Sequence, residues 1–303
     1  MKKQHIMDIR PYAMVRVLLR GIGQVIFQNN ALSGGLMLLG ICCNSLTMGL
    51  FAFLGAAIST LTALLLKYDD KEIRNGLYGF NGTLVGIAFP CFLSIQMWSV
   101  MLMIIATSAS AMVAHAIGKQ KLLPGLTAPF VIVTWLILLV ALILPTLQKV
   151  GQMTVVDDRI FLPLKAFSLG FGQIMLQGNS ILTGLLFILA IAVNAPKKAF
   201  KAVLACVLSL CLVWLPIVTT TSVNNGMWGY NAILACLAIT DIVPITSCRY
   251  GKAFMAIALS CVFQYIGLRL GLITLTAPFV LAVWVVVVYD KVFHRNESDQ
   301  RRD

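Results

Sequence analysis

The sequence predicts an all-α polytopic membrane protein that contains two inverted-topology repeats of five transmembrane helices. Three observations predict this class: an apolar composition, motifs that recur half a chain later, and basic residues clustered in alternate loops. Of the 303 residues, 59% are hydrophobic and 11% are charged, and the mean hydropathy is +0.91. Apolar stretches of about 18 residues, enough to cross a hydrocarbon core, recur from Gly34 to Cys261 and from Leu272 to Tyr289.

Membrane topology explains the formal net charge of +12 better than nucleic-acid binding does. The basic residues fall in short clusters between apolar runs, which is the pattern of cytoplasmic loops. We therefore predict a protein embedded in the lipid bilayer, with no nucleic-acid partner.

Three motifs occur twice, in the same order. "GIGQVIFQNNALSGGL" from Gly21 recurs 149 residues later as "GFGQIMLQGNSILTGL". The motifs from Asn75 and Leu126 recur 150 and 149 residues later as "NGMWGYNAILACLA" and "LTAPFVLAVW". The nearly constant spacing predicts two copies of one unit, 1–149 and 150–303.

Each copy offers five spanning segments, placed in the first copy near 33–47, 49–66, 77–95, 97–117 and 122–147. An odd number of spans per copy places the second copy upside down relative to the first. Both termini, including a basic tail over 290–303, are predicted to be cytoplasmic because one side carries most of the loop charges. Those charges are Lys67, Lys71, Arg74, Lys119, Lys121, Lys197, Lys198, Lys201, Arg249 and Lys252.

The repeated motifs also predict short or interrupted helices. The segment 16–30 is too short before its Gln-Asn-Asn end to span the membrane. Pro129 and Pro278 remove backbone donors from otherwise spanning helices, and hydrocarbon tolerates the freed carbonyls only beside something polar. In inverted repeats such elements line a ligand path on the pseudo-twofold axis.

The polar residues that recur in these motifs are all neutral. They pair as Gln24 with Gln173, Gln28 with Gln177, Asn30 with Asn179, Asn81 with Asn231, and Thr127 with Thr276. Amides and hydroxyls donate and accept hydrogen bonds without charge, so the path suits a small, uncharged solute. A coupling ion or proton relay would normally leave carboxylates or histidines on the axis.

Flat or apolar side chains accompany these polar groups. Phe27, Phe80 and Tyr230, with Leu84 and Leu234 one turn further on, predict a slot for a thin planar molecule. Such a slot disfavours ions, which would lose hydration without compensation.

Catalysis, metal binding and cofactor binding have no support in the sequence. His5, His115 and His294 are scattered, the cysteines lack C-x-x-C spacing, and no nucleophile with a base or paired-carboxylate set recurs. We predict that the protein is not an enzyme and uses neither a metal nor a cofactor.

With both copies of Gln-Val/Ile-x-x-x-x-Asn, Gly-Phe/Tyr-Asn and Leu-Thr-Ala-Pro-Phe, the sequence resembles the bacterial urea transporters over almost its whole length. The resemblance implies a homotrimer in the cell inner membrane with one central pore per subunit on the pseudo-twofold axis. It also implies a half-membrane pore helix in each repeat, near 16–30 and 165–179. Urea would cross by channel-like facilitated diffusion, and a cytoplasmic urease would be a sensible metabolic consumer.

The resemblance also implies roles for particular residues. Amides would contact urea near the wider ends of the pore, threonines would line the central constriction, and apolar residues would form the slot. The implied residues are, in that order, Gln24 and Gln173 with their neighbours Val25 and Ile174, then Thr127 and Thr276, then Phe27, Phe80, Tyr230, Leu84 and Leu234.

The chain departs from the family pattern at three places. Gln173 stands where family members often have glutamate, Leu176 stands where an aromatic residue opposite Phe27 is expected, and Ala232 stands opposite Gly82 of the first copy. These departures bear on selectivity among small amides and not on the architecture.

The alternative function is an ion-coupled secondary transporter, or a channel for another small neutral amide or ammonia. At the level of single residues, Asn81 and Asn231 suit a structural role as caps or ties as well as a pore role. Asp241 is expected at a helix end or interface because the first copy has Cys91 there, and His115 is expected to be interfacial.

Overall fold

The computed structural model describes residues 11–120, 122–147 and 160–300, which form helices and turns without a β-strand. The helices of the first half are α1 (Pro11–Gln24), α2 (Ala31–Asn44), α3 (Leu46–Leu65), α4 (Asp70–Arg74), α5 (Gly79–Phe92), α6 (Met97–Gln120) and α7 (Ala128–Ile143).

The second half repeats this order of long and short helices. Each of its helices begins between 149 residues (Ala128 to Ala277) and 152 residues (Pro11 to Pro163) after its counterpart. A 3₁₀ turn, Gln173–Met175, follows the first of them, and a π turn, Ala238–Ile242, extends the fifth. The helices are α8 (Pro163–Gly172), α9 (Ile181–Asn194), α10 (Pro196–Leu210), α11 (Thr220–Asn224), α12 (Gly229–Leu237), α13 (Arg249–Arg269) and α14 (Ala277–Gln300).

Several helices are apolar enough to lie in a membrane. In the described part of the chain, α3, α6 and α13 are also long enough to cross one. Shorter apolar helices are α2, α5, α7, α9 and the segment Gly229–Ile242. Large apolar side chains face outward, including Leu46, Ile143 and Trp214, which are 77%, 78% and 85% exposed. An apolar outer surface of this kind suits contact with lipid.

The predicted spans match the helices of the first half to within a few residues, with one exception. The segments near 33–47, 49–66, 77–95 and 97–117 correspond to α2, α3, α5 and α6.

The exception is the segment 122–147, where the helix begins only at Ala128. Leu126 has a left-handed backbone with φ of 46°, which an uninterrupted helix does not contain. Pro129 therefore lies in the first turn of α7, where its missing N–H removes no hydrogen bond. The proline starts this helix and does not interrupt one.

The short helices α1 and α8 are followed by similar chain reversals. The predicted segment 16–30 contains the end of α1, which begins earlier, at Pro11. Beyond the two helices, Phe27 and Leu176 have left-handed backbones with φ of 56° and 59°. Side-chain caps then start the next helices, because Asn30 Oδ1 accepts from the first turn of α2 and Ser180 Oγ from that of α9.

Glycines allow these short helices to contact their successors closely. A Cβ atom added to Gly34 of α2 would lie 1.7 Å from the carbonyl oxygen of Leu19, and one added to Gly184 of α9 would lie 1.9 Å from that of Ser168. Only hydrogen fits at these two positions, so the backbones of α1 and α2 are in direct contact, and so are those of α8 and α9.

Amide side chains join the two halves across α2 and α9. Asn44 Nδ2 donates to Gln177 Oε1 at 2.7 Å, and Asn194 Nδ2 donates to Gln28 Oε1 at 2.8 Å. Each half thus supplies the asparagine of one bond and the glutamine of the other.

Tryptophans join the halves a second time, next to the threonine motifs. Trp135 Nε1 donates to the carbonyl of Ile273 at 2.8 Å, and Trp284 Nε1 donates to the carbonyl of Pro124 at 2.8 Å. The same bond is therefore made in both directions between the halves.

Candidate functional site

The two Leu-Thr-Ala-Pro-Phe motifs meet inside the protein. Thr127 Oγ1 lies 2.7 Å from Thr276 Oγ1, and the two side chains are 2% and 3% exposed. One hydroxyl donates to the other, which leaves the second proton available to another acceptor. This contact joins residues 149 positions apart and places a neutral polar pair between the halves.

A left-handed residue sets the position of each threonine. Leu126 and Leu275 have φ of 46° and 49°, which reverses the chain just before the threonine. A non-glycine residue in this region costs about 1–2 kcal/mol and persists only where the surrounding structure holds it.

The repeated asparagines hold these turns. Phe130 N donates to Asn81 Oδ1 at 3.1 Å, and Phe279 N donates to Asn231 Oδ1 at 3.2 Å. These backbone N–H groups belong to the first turns of α7 and α14, which lack intrahelical acceptors. The sequence left open a structural role and a pore role for Asn81 and Asn231, and these hydrogen bonds show the structural role.

The repeated glutamines also bind backbone in the same way in both halves. Gln24 Nε2 donates to the carbonyl of Asn75 at 3.0 Å, and Gln173 Nε2 donates to the carbonyl of Asn225 at 3.0 Å. Both side chains are half-buried. In the described part of the chain no donor contacts either Oε1. Each amide therefore keeps an acceptor that suits an N–H donor.

The aromatic residues predicted to form a slot are packed differently from one another. Phe27 and Phe80 are half-buried, whereas Tyr230 is only 4% exposed. Among the described residues the ring contact of Phe27 is with Phe279, edge to face, with ring centroids 6.3 Å apart. Phe279 ends the second Leu-Thr-Ala-Pro-Phe motif, so the repeat signalled a residue that the sequence analysis did not select.

The remaining apolar site residues are buried within one cluster that spans both halves. Leu84 and Leu234 are 0% exposed, and Val25 and Ile174 are each 1% exposed. The structure therefore gathers these four residues into the common core of the two halves.

Gln28 and Gln177, which the sequence analysis paired as copies of one motif position, each bond to an asparagine of the other half. Gln28 and Gln177 bind Asn194 and Asn44, two residues 150 positions apart that the motif comparison did not include. Lys198 Nζ also lies 3.4 Å from the carbonyl of Phe27. No local signal predicts such contacts between distant segments.

The acidic residues in the late helices are paired with lysines. Asp241 Oδ2 lies 2.6 Å from Lys201 Nζ, and both side chains are less than a fifth exposed. Asp290 forms an ion pair with Lys252 and accepts from Thr246. Asp241 lies in the π turn that ends α12, so the expectation of a helix-end role is confirmed.

His115, on α6, belongs to a cluster of polar and aromatic side chains whose other members precede α5. Its ring stacks on Tyr68 at 3.7 Å between centroids, and its Nδ1 lies 3.1 Å from the hydroxyl of Tyr78. Tyr78 also donates to Glu72 at 2.7 Å. His115 is therefore held between the ring of Tyr68 and the hydroxyl of Tyr78.

Metal binding has no support in the described ranges, which contain no group of three or more His, Cys, Asp or Glu side chains placed to hold an ion. What the site offers is neutral: two hydroxyls, two amides with spare acceptors, and aromatic or aliphatic walls.

Comparison with known proteins gives a consistent match. A family model described as urea transporter matches residues 15–291. Urea transporter 1 of Ovis aries is 28% identical over 290 residues, covering 88% of this chain and 74% of that protein. Urea transporter 1 of Rattus norvegicus is 31% identical over 238 residues, covering 73% of this chain and 62% of that protein. The family match over most of the chain shows that this multi-pass membrane protein belongs to the urea transporter family, whose members are transporters rather than enzymes.

Proposed function

We propose that the protein is a passive, channel-like urea transporter whose path runs between its two halves and through the threonine pair. The observation that carries this proposal is the 2.7 Å contact between Thr127 and Thr276. Two neutral hydroxyls from identical motifs meet in a buried apolar setting. This is where a pore for a small uncharged solute needs polar groups.

The path follows from a proposed architecture of two inverted repeats, 1–149 and 150–303, each with five transmembrane helices and a half-membrane pore helix. Its support is the reciprocity of contacts: the paired asparagine–glutamine bonds, the paired tryptophan bonds and the twin glutamine bonds. In this architecture α1 and α8 are the pore helices, and the threonine pair lies on the pseudo-twofold axis.

The chemistry of the proposed path matches urea. Urea has four N–H donors and one carbonyl acceptor on a planar frame, and Gln24 and Gln173 each keep an acceptor oxygen for such donors. The threonine hydroxyls line the centre of the proposed path. The slot consists of Phe27, Phe80, Tyr230, Leu84 and Leu234, and Val25 and Ile174 lie beside the glutamines.

An ion-coupled mechanism has less support. The carboxylates of Asp241 and Asp290 are paired with Lys201 and Lys252, and among the described residues neither bonds to the threonine pair. Intramembrane carboxylates that carry a coupling ion or proton usually lie in the transport path. Another small neutral amide or ammonia remains the alternative permeant.

Location and assembly are also proposals, and they rest on the charge pattern and on the family resemblance. We place the protein in a bacterial inner membrane, with both termini cytoplasmic, as a homotrimer with one pore per subunit. A cytoplasmic urease is the proposed consumer of the urea that enters.

The test is urea flux into liposomes that contain the purified protein, followed by stopped-flow light scattering with empty vesicles as the reference. We expect rapid urea entry that ionophores do not change. Replacing either threonine by valine should slow entry about three- to tenfold, as for the loss of one ordinary hydrogen bond.

Thr107→Val is the matched control, because the Thr107 hydroxyl is buried and donates to the Met103 carbonyl of its own helix. Its flux should equal that of the parent protein. Urea entry no faster than in empty vesicles, with folded protein present, would refute the proposed function. Parent-like flux in both threonine variants would refute the proposed path.

A further inference from the structure

Gln264 is a fully buried amide on α13 that lies behind the second threonine turn. Its Oε1 accepts from Asn231 Nδ2 at 3.1 Å and lies 3.3 Å from the Tyr230 hydroxyl. Its Nε2 is buried and has no acceptor among the described residues. A buried donor without a partner costs free energy, so packing of α13 does not explain a glutamine here.

The orientation of this amide is fixed by its neighbours, although oxygen and nitrogen of an amide are otherwise interchangeable in shape. The backbone N–H of Phe279 requires an acceptor, which is Asn231 Oδ1. Asn231 must therefore direct its Nδ2 at Gln264, and Gln264 must accept this hydrogen bond with its Oε1. The unpartnered Nε2 is a consequence of this chain of bonds.

The same oxygen bonds to one of the two residues that hold the second turn, Asn231, and lies 3.3 Å from the hydroxyl of the other, Tyr230. Asn231 holds the start of α14 through Phe279, and the Tyr230 hydroxyl lies 2.8 Å from the carbonyl of the left-handed Leu275. Thr276, the next residue, contacts the first half through its hydroxyl. Because the single hydroxyl proton of Tyr230 goes to the nearer acceptor, the Leu275 carbonyl, the path from Gln264 to Thr276 runs through Asn231 and the start of α14.

The first half lacks this support. Ser110 and Ser260 are 150 residues apart, are both buried, and donate to the carbonyl three positions earlier, so they mark equivalent places on α6 and α13. The repeat offsets of 150 and 149 pair Gln264 with Ala114 and His115, and among the described contacts neither of these bonds to Asn81. Asn81 Nδ2 there reaches the Leu126 carbonyl itself, at 3.4 Å.

From this geometry we infer that Gln264 is a positioning residue that fixes Thr276 at the constriction and so sets the discrimination between urea and larger amides. The inference rests on the proposed urea path. The Gln264 side chain does not itself contact the permeant and acts through Asn231.

The test compares urea and acetamide entry into liposomes for Gln264→Met and Gln264→Glu. Methionine fills the space with only a weak sulfur acceptor, and glutamate keeps an acceptor oxygen in either protonation state. We expect Gln264→Met to change the ratio of urea to acetamide permeability by about three- to tenfold, the effect of one ordinary hydrogen bond. Gln264→Glu should restore the parent ratio.

Ser260→Ala is the matched control, because its buried hydroxyl bonds only within α13, to Ile257. An unchanged ratio in folded Gln264→Met would overturn the inference while rapid parent flux upheld the proposed function. A ratio shifted equally in Ser260→Ala would overturn it too. If Gln264→Met does not fold, Gln264→Leu takes its place, since leucine is smaller and also cannot accept from Asn231, and an unchanged ratio there has the same meaning.

Discussion

The turns before α7 and α14 share the sequence Leu-Thr-Ala-Pro-Phe but are held by different side chains. In the first turn Asn81 both accepts from Phe130 N and donates to the Leu126 carbonyl at 3.4 Å. In the second turn Asn231 accepts from Phe279 N and donates to Gln264, and the Leu275 carbonyl accepts from the Tyr230 hydroxyl at 2.8 Å.

The difference shows which part of the turn is required and which part varies. Both turns keep a left-handed leucine and an asparagine acceptor for the first helical turn, because a buried backbone N–H must be bonded. The donor to the leucine carbonyl differs, since any nearby N–H or O–H suffices. Three predictions test how far the equivalence of the halves extends.

The largest effect is expected at the close glycines, where the halves are most alike. Gly34→Ala and Gly184→Ala each place a methyl group within 2 Å of a backbone carbonyl oxygen. Overpacking against backbone costs about 1–3 kcal/mol or more, so we expect loss of folded protein or a melting temperature lower by about 5–10 °C.

Gly35→Ala is the neighbouring control, since a Cβ there meets no atom within 4 Å. Yield, size-exclusion profile and thermal melting in detergent are the measurements. If only one of the two close glycines proves sensitive, the short helices of the two halves do not pack alike.

An intermediate effect is expected at the asparagines. Asn81→Leu and Asn231→Leu each leave a buried N–H in the first turn of α7 or α14 without an acceptor, which costs about 1–3 kcal/mol. Because both lose the same backbone bond, we expect thermal melting to fall by similar amounts.

Thr83→Val is the control for Asn81, because its buried hydroxyl donates to the Gly79 carbonyl of its own helix. A melting temperature for Asn81→Leu equal to that of Thr83→Val would contradict the role of the asparagine as a tie.

The smallest effect is expected at the Lys201–Asp241 pair, which only the second half contains. The first half has Phe51 and Cys91 at the positions 150 residues earlier. Both side chains are partly exposed, and such pairs contribute about 0–1 kcal/mol. Asp241→Asn should therefore change the melting temperature slightly and leave urea flux unchanged.

The double variant Lys201→Met with Asp241→Asn provides the comparison, since it removes both charges and leaves neither unpaired. Flux that falls strongly in Asp241→Asn and depends on an ionophore would favour the ion-coupled alternative instead.

Much of the fold could be predicted from the sequence because it depends on local features. Apolar runs of sufficient length located α2, α3, α5 and α6 to within a few residues. The start of α7 was predicted too early, because Leu126 has a left-handed backbone that a helix cannot contain. A leucine gives no local sign of that conformation.

The candidate site could be predicted in composition but not in arrangement. The repeat alone selected Gln24, Gln173, Thr127 and Thr276, and the structure joins the threonines directly. The repeat did not select Phe279 or Gln264. Phe279 contacts Phe27 and Gln264 contacts Asn231, and both partners lie far away in the sequence.

By itself, then, the sequence determined that the chain is an apolar, helical protein with twofold repeated motifs, because hydropathy, helix length and spacing are properties of neighbouring residues. Only the tertiary structure decided which of the repeated groups meet. Thr127 and Thr276 come within hydrogen-bond distance, and Asn231 turns its amide to Gln264, through the packing of helices from both halves. Such contacts depend on where every helix lies, and a hydrogen bond forms only when distance and angle are both satisfied.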